Sequence, residues 1–202
     1  MSDEAVSSRG VGVPESRRPY VPGQKLTTEY PLIDSDPHIK RVIRYARPVD
    51  YAEWGAITAA VPAGFYLLEK FSPSFVGRGA YPPMFRLATM LGFTGGFLAL
   101  TTNSTLRFLG VRENQRERDM DMREMVDKVK KGEPLYGVSR LSDHHQGVAM
   151  RNSRYSTFFI HVMPMFNFVN HNQHGVDTAK YYQQAERELE AEKTTTDGFL
   201  KA

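Results

Sequence analysis

The sequence predicts a mainly α protein built on a two-helix transmembrane hairpin, with an extended N-terminal block and a helical or irregular C-terminal region. Three observations predict it. Arg86 and Arg107 bracket residues 87–106, which carry no charge; at 1.5 Å per residue these 20 positions make a helix of about 30 Å, the thickness of a bilayer's hydrocarbon core. Glu53 and Glu69 bracket a second uncharged run, residues 54–68. Between the two lies "EKFSPSFVGRGAYPPMFR", short and rich in Gly and Pro, as a loop joining antiparallel helices would be. A mean hydropathy of −0.45 does not oppose this reading, because a very polar chain averages out one or two short apolar segments.

Residues 1–25 read as a disordered tail. They begin acidic, lack an apolar h-region and are broken by Pro14, Pro19 and Pro22, so neither a secretory signal nor an amphipathic presequence is expected there. Residues 26–50 form a polar pre-membrane block. Pro31, Pro37 and Pro48 prevent one long helix, but Asp36 followed by Pro37 caps a short one through Tyr45. On that helix Ile39, Val42, Ile43 and Ala46 make an apolar stripe suited to a membrane surface, with Lys40, Arg41 and Arg44 pointing elsewhere.

Residues 51–110 form the hairpin, with spans at about 51–71 and 85–108. The first is the shorter, about 22 Å over its uncharged part. It spans if Glu53 and the Glu69–Lys70 pair reach the headgroups, helped by Tyr51, Trp54, Tyr66, Phe71 and Phe75 at the interfaces. Pro62 is tolerated as a kink. A core helix or one lying in the interface is the other reading of this run. Neither span carries a charged residue or histidine in its middle, so an ion or proton pathway within this chain is not expected.

Ala88, Gly92 and Gly96 recur every four residues and line one helix face, where another backbone can approach closely. Gly55, Ala59 and Ala63 offer a matching series on the first span. These six are the predicted helix-packing residues, within the hairpin or against other helices. A phosphate-binding loop at Gly92–Gly95–Gly96 is excluded by the absence of a preceding strand and of a lysine or acidic partner. Basic residues number four before the first span, three in the loop and five after the second, which places both termini on the more negative side of the membrane.

Residues 111–202 form a soluble charged helix and a docking region. The stretch "VRENQRERDMDMREMVDKVKKGEP" is a strong helix former stopped by Gly132 and Pro134, with Met122, Met125, Val126 and Val129 as a narrow apolar stripe. A solvated surface helix is the default for such a composition, and a docking helix is the alternative. Residues 158–169 are apolar but too short to span and split by Pro164; they read as a clamp against a partner or membrane surface. A polar helix, "TAKYYQQAERELEAEK", follows.

The chemistry available is narrow. Zero cysteines exclude a disulfide framework, a thiolate zinc site and an iron–sulfur cluster held by this chain. His144, His145, His171 and His174 with Asp143 or Asp177 are the only metal-like grouping; adjacent histidines rarely ligate one ion, and solvated loop histidines are expected instead. The serines lack any nucleophile motif. A net charge of +3 from interleaved signs gives nucleic-acid binding little support. The sequence therefore assigns no catalytic, cofactor or metal residue and no small-molecule substrate.

"YPLIDSDPH" and "RYARPVDY", followed by a small-residue hairpin, resemble the fungal accessory subunits of mitochondrial complex I, NADH:ubiquinone oxidoreductase, of the 21 kDa (20.9 kDa) class. The likeness runs from about residue 30 to 109, with a looser match beyond. It implies a multi-pass inner-membrane protein of the membrane arm with no flavin, iron–sulfur or quinone chemistry, whose partners are other membrane-arm subunits and membrane lipid and whose role is assembly and stability. The resemblance brings no catalytic residues. Two rival readings are an inner-membrane import or assembly component with a glycine-zipper hairpin, and a soluble metal-dependent enzyme with the apolar runs as its core.

Overall fold

A computed structural model of the chain describes residues 28–75, 77–148, 166–172 and 174–200. Among these residues the secondary structure is helical, without a strand; a single parallel bridge joins His38 to Asn167. The expected tail at residues 1–25 and most of the apolar clamp, residues 158–165, lie outside the described residues.

Helix α1 spans Ile39–Tyr45, with His38 as its cap: its Nδ1 accepts the Lys40 N–H at 3.1 Å. The Asp36–Pro37 pair expected to start this helix lies just before it. Helix α2, Pro48–Phe71, opens with proline at its first position, where no N–H is needed, and Asp50 Oδ2 accepts the Arg47 N–H at 2.7 Å. A 3₁₀ turn, Arg78–Ala80, leads into α3, Tyr81–Phe108. The prolines at 82 and 83 fall in the first turn of α3, so the helix begins earlier than the uncharged run suggests and reaches about 42 Å.

Of these helices, α3 alone is long and apolar enough to cross a membrane by length and composition, and 28% of its most apolar window is buried within the chain. Helix α2 runs antiparallel to it. Asp50 meets Arg107, Glu53 meets Asn103 and Glu69 meets Tyr81, so opposite ends of the two helices are paired.

Helix α4, Gln115–Lys131, ends at Gly132, whose φ of 68° is the left-handed conformation that suits a residue without Cβ. Its last turn is basic, which favours the negative end of the helix dipole. Helix α5 spans Ala179–Leu200. Together α1, α4, α5 and the head end of α3 enclose two small apolar clusters: Ile33, Tyr45 and Phe108 with Met120, and Met125, Leu135 and Tyr181 with Met122, Val129 and Tyr136. The sequence default of a solvated α4 is corrected here: Met125 and Val126 are buried, because Leu135 and Tyr181 close over that stripe.

Candidate functional site

Two features stand out: a tight seam between α2 and α3, and a buried ionic network that ties the remaining elements to the end of that pair.

The seam is built from small residues on α3. Ala88, Gly92 and Gly96 are all buried. A Cβ placed on Gly92 would lie 2.9 Å from the Thr58 carbonyl oxygen and 3.1 Å from that of Ile57; on Gly96 it would lie 2.6 Å from Trp54 Cδ1 and 2.8 Å from the Trp54 carbonyl oxygen. The Thr58 carbonyl is available for a reason written in the sequence. Four residues on, Pro62 has no N–H to donate to it, so the oxygen that the Gly92 backbone covers lacks its usual helical bond. Trp54 completes the contact, its indole N–H donating to the Phe93 carbonyl at 2.9 Å and its ring lying 4.9 Å from Phe93 and 5.6 Å from Phe97.

Of the six expected packing residues, the structure brings Ala88, Gly92 and Gly96 to the seam. Gly55, Ala59 and Ala63 lie elsewhere: all three are exposed on α2, and a Cβ on Gly55 would meet nothing within 4 Å. Trp54, Ile57 and Thr58 take the place facing the α3 glycines. The two series therefore do not meet each other within this chain.

At the head end, Arg107 donates to both carboxylate oxygens of buried Asp50, at 2.6 and 2.8 Å. This fork clamps the start of α2 to the end of α3. Arg47 adds a second clamp, donating to Glu117 at 2.7 and 2.8 Å and to Glu113 at 2.7 Å. Burial favours the neutral Glu117 carboxyl, but the bonds from Arg47 outweigh it and hold the group below the usual carboxylate range. At the loop end, Glu69 accepts from Tyr81 Oη at 2.7 Å and from the Ser74 N–H at 3.0 Å, fastening the connection.

Arg41 is the centre of the network. The sequence placed it away from the apolar stripe of α1; the structure corrects this, leaving it 9% exposed. Its guanidinium donates to Asp34 at 2.9 Å and to Asp121 at 2.5 Å, and lies over the rings of Tyr45 and Phe108. Burial opposes its charge, yet Asp34 and Asp121 more than compensate and drive its pKa above the ordinary arginine value. Asp121 also accepts from Tyr181 Oη at 2.5 Å, and Glu124 accepts from Tyr45 Oη at 2.6 Å. Burial pushes both phenols well above the ordinary tyrosine range, and the adjacent carboxylates push further in the same direction.

The histidines are also corrected. His171 and His174 were expected in solvent, but they are buried and stacked with centroids 4.5 Å apart. His171 Nε2 is 2.6 Å from Asp36, and His174 Nδ1 is 2.6 Å from Asp34. His174 Nε2 also faces the His171 carbonyl at 2.7 Å, so this ring donates on both sides only when it carries both protons. The candidate metal partners Asp143 and Asp177 are not their neighbours among these contacts. No group of three or more potential ligands is arranged for a metal among the described residues.

Backbone bonds complete the tie. The Ile33 and Asp34 N–H groups donate to the Phe108 carbonyl, Ser35 N–H to His174, and Ile39 N–H to Asn167. Buried Asn114 donates to the carbonyls of Pro31 and Arg107, at 2.8 and 2.9 Å. The segment before α1 is thus sandwiched between the end of α3 and the chain near residue 170. Sequence reasoning missed Asp34, Asp36, Arg41 and Asp121 as a group. The available signal was two aspartates beside Leu32 and Ile33 in a proline-bounded segment.

Comparison with known proteins bears on what this architecture serves. Residues 27–113 match the family described as NADH-ubiquinone oxidoreductase complex I, 21 kDa subunit, and residues 122–197 match the family of its C-terminal region. The chain is 63% identical over 174 residues to the NADH-ubiquinone oxidoreductase 20.9 kDa subunit of Neurospora crassa, covering 86% of this chain and 92% of that protein.

Proposed function

The chain belongs to the family of the 21 kDa subunit of NADH-ubiquinone oxidoreductase, complex I of the mitochondrial respiratory chain, and from that membership we propose that it is a non-catalytic accessory subunit of the membrane arm. In this reading α2 and α3 form a two-span hairpin in the inner membrane, with both termini on the matrix side. The head built on α1, α4 and α5 rests at the end of the hairpin and contacts neighbouring subunits.

The observation that carries the proposal is the apolar outer surface of the helix pair. On α3 Leu87, Met90, Leu91 and Phe93 are more than half exposed, and on α2 Tyr66 and Leu68 likewise. Water makes such a continuous surface costly, whereas lipid tails or apolar helices cover it at no loss. The acidic residues near the ends of α2 are each engaged, Asp50 by Arg107, Glu53 by Asn103 at 2.9 Å and Glu69 by Tyr81. That leaves the uncharged stretch 54–68 opposite the apolar part of α3. Helix α2 has 24 residues, about 36 Å, which is long enough to cross with some tilt. Gly55, Ala59 and Ala63, exposed on α2, are available to a helix of a neighbouring subunit.

Alkaline carbonate extraction of mitochondrial membranes tests the span. The chain should stay in the pellet, and release into the supernatant would refute the membrane reading. Deleting the chain should deplete assembled complex I on native gels while complex that does assemble retains NADH oxidation per molecule; loss of turnover in fully assembled complex would refute the non-catalytic role.

A further inference from the structure

The buried ring of His174 has an acceptor at each nitrogen. Nδ1 is 2.6 Å from Asp34 Oδ1, and Nε2 is 2.7 Å from the His171 carbonyl oxygen. A carbonyl oxygen carries no proton, so Nε2 must donate. Asp34 has none to give either: its Oδ1 also accepts the Asp36 N–H at 2.9 Å, and its Oδ2 accepts from Arg41 at 2.9 Å. Nδ1 therefore donates as well, and a ring that donates at both nitrogens is an imidazolium. The faces of the ring suit that charge. Tyr136 stacks on one side with ring centroids 3.6 Å apart, close enough for its negative π face to attract a cation. The His171 ring covers the other side at 4.5 Å; in neutral form it meets its 2.6 Å contact with Asp36 through Nε2–H, so two cations need not stack. One charge thus sits where three stretches meet: the segment before α1, the loop after α4 and the chain before α5.

From this arrangement we propose that His174 is a proton-operated latch: as an imidazolium it ties the chain before α5 to the segment before α1, and loss of its proton loosens that tie. A neutral ring has a single N–H. Whichever proton leaves, a lone pair is left facing an oxygen at 2.6 or 2.7 Å, so either the link to Asp34 goes or the turn from His171 to His174 loses its brace. The surrounding groups hold their charge while the ring titrates. Burial keeps the Tyr136 and Tyr181 phenols well above the ordinary tyrosine range. Arg41, which reaches Asp34 from α1 and shares Asp121 of α4 with Tyr181, stays charged. His38, next to the Ile39 N–H that bonds Asn167, is held below the ordinary histidine value, chiefly by burial. Because the closed arrangement binds this proton and the open one does not, closure weakens as the pH rises, by about tenfold per unit above the point where the open form gives the proton up.

Two backbone bonds cross the latch and report on it: the Ser35 N–H donates to the His174 carbonyl at 3.0 Å, and the Ile39 N–H to that of Asn167 at 2.9 Å. The Tyr30 N–H, bonded to the Gly110 carbonyl at 3.0 Å, lies outside it. Hydrogen exchange of the full-length chain in detergent micelles is followed from about pH 6 to about pH 9. After correction for the intrinsic rise in exchange rate, protection at Ser35 and Ile39 should fall by about tenfold per pH unit while that at Tyr30 holds. His174→Gln should flatten this dependence, and His171→Gln and His38→Gln should keep it. Near neutral pH, nitrogen-15 spectra of the unmodified chain with labelled histidine should show both ring nitrogens of His174 protonated. A neutral His174 ring in the folded chain would overturn the latch, as would a flat exchange profile or a fall shared equally by Tyr30. A dependence that survives His174→Gln, or that disappears in His171→Gln or His38→Gln, would overturn it too.

Discussion

Replacing Gly92 with alanine tests the seam where every nearest neighbour of the added Cβ is backbone. The added Cβ would sit 2.9 Å from the Thr58 carbonyl oxygen, 3.1 Å from the Ile57 carbonyl oxygen and 3.1 Å from Thr58 Cα. All three are backbone atoms, so no side-chain rotation relieves the overlap. Restoring an ordinary 3.4 Å contact from 2.9 Å requires α2 to move by 3.4 − 2.9, or about 0.5 Å, and Trp54 with its contacts to Phe93 and Phe97 must move with it. With only backbone atoms in the way, the overpacking falls in the upper part of the usual range, about 2–3 kcal/mol, against about 1 kcal/mol regained from alanine's better helix propensity. The expected net loss is about 1–2 kcal/mol, a roughly 5–30-fold shift from the paired towards the separated state. Gly55→Ala is the control: nothing lies within 4 Å of its Cβ, so only the propensity gain remains. In the purified full chain in detergent micelles, Gly92→Ala should lower the thermal midpoint followed by circular dichroism and red-shift Trp54 emission, and Gly55→Ala should do neither. A Gly92→Ala protein as stable as the parent, or a Gly55→Ala protein equally damaged, would refute the argument.

The head yields three further expectations. Arg41→Ala leaves Asp34 and Asp121 buried without their shared cation and should cost about 3–5 kcal/mol in denaturant unfolding of the full chain. Asn114→Ala removes two hydrogen bonds and strands the Pro31 carbonyl, while that of Arg107 keeps the Gly110 N–H, for a loss of about 2 kcal/mol in the same assay. Glu117 and Glu124 titrate below the ordinary glutamate value of 4.5 in the folded chain. For Glu124, burial is opposed and outweighed by bonds from Lys128 and Tyr45. A depressed folded value means stability that is fully present above pH 4.5 and lost as pH falls through the folded values. The thermal midpoint should therefore drop on acidification below about 4.5, and Glu124→Gln should shallow that drop while lowering stability at neutral pH; a midpoint rising with acidification would contradict the assignment.

The long helices were legible because their signal is local: an uncharged run of bilayer length and a four-residue small-residue period need no knowledge of distant contacts. The α3 half of the seam follows from that period alone. Its α2 half does not, because the α3 glycines meet Trp54, Ile57 and Thr58 rather than the small-residue series. That face carries Trp54, which bonds the Phe93 carbonyl and packs on Phe93 and Phe97, contacts that a small-residue face cannot make. The head was hidden for a different reason. Periodicity assigns a charged residue to solvent, and Arg41 is buried only because Asp121 arrives from 80 residues away and Asp34 from the preceding loop. His171 and His174 are 135 and 140 residues from the aspartates that hold them. No window of sequence contains both partners.

Dissociating complex I with mild detergent into its membrane and peripheral arms, and quantifying this chain by mass spectrometry in each, tests the central proposal most directly. The chain should remain with the membrane arm in a constant ratio to that arm's other subunits. Recovery with the NADH-oxidising peripheral arm, or with neither fraction, would contradict it.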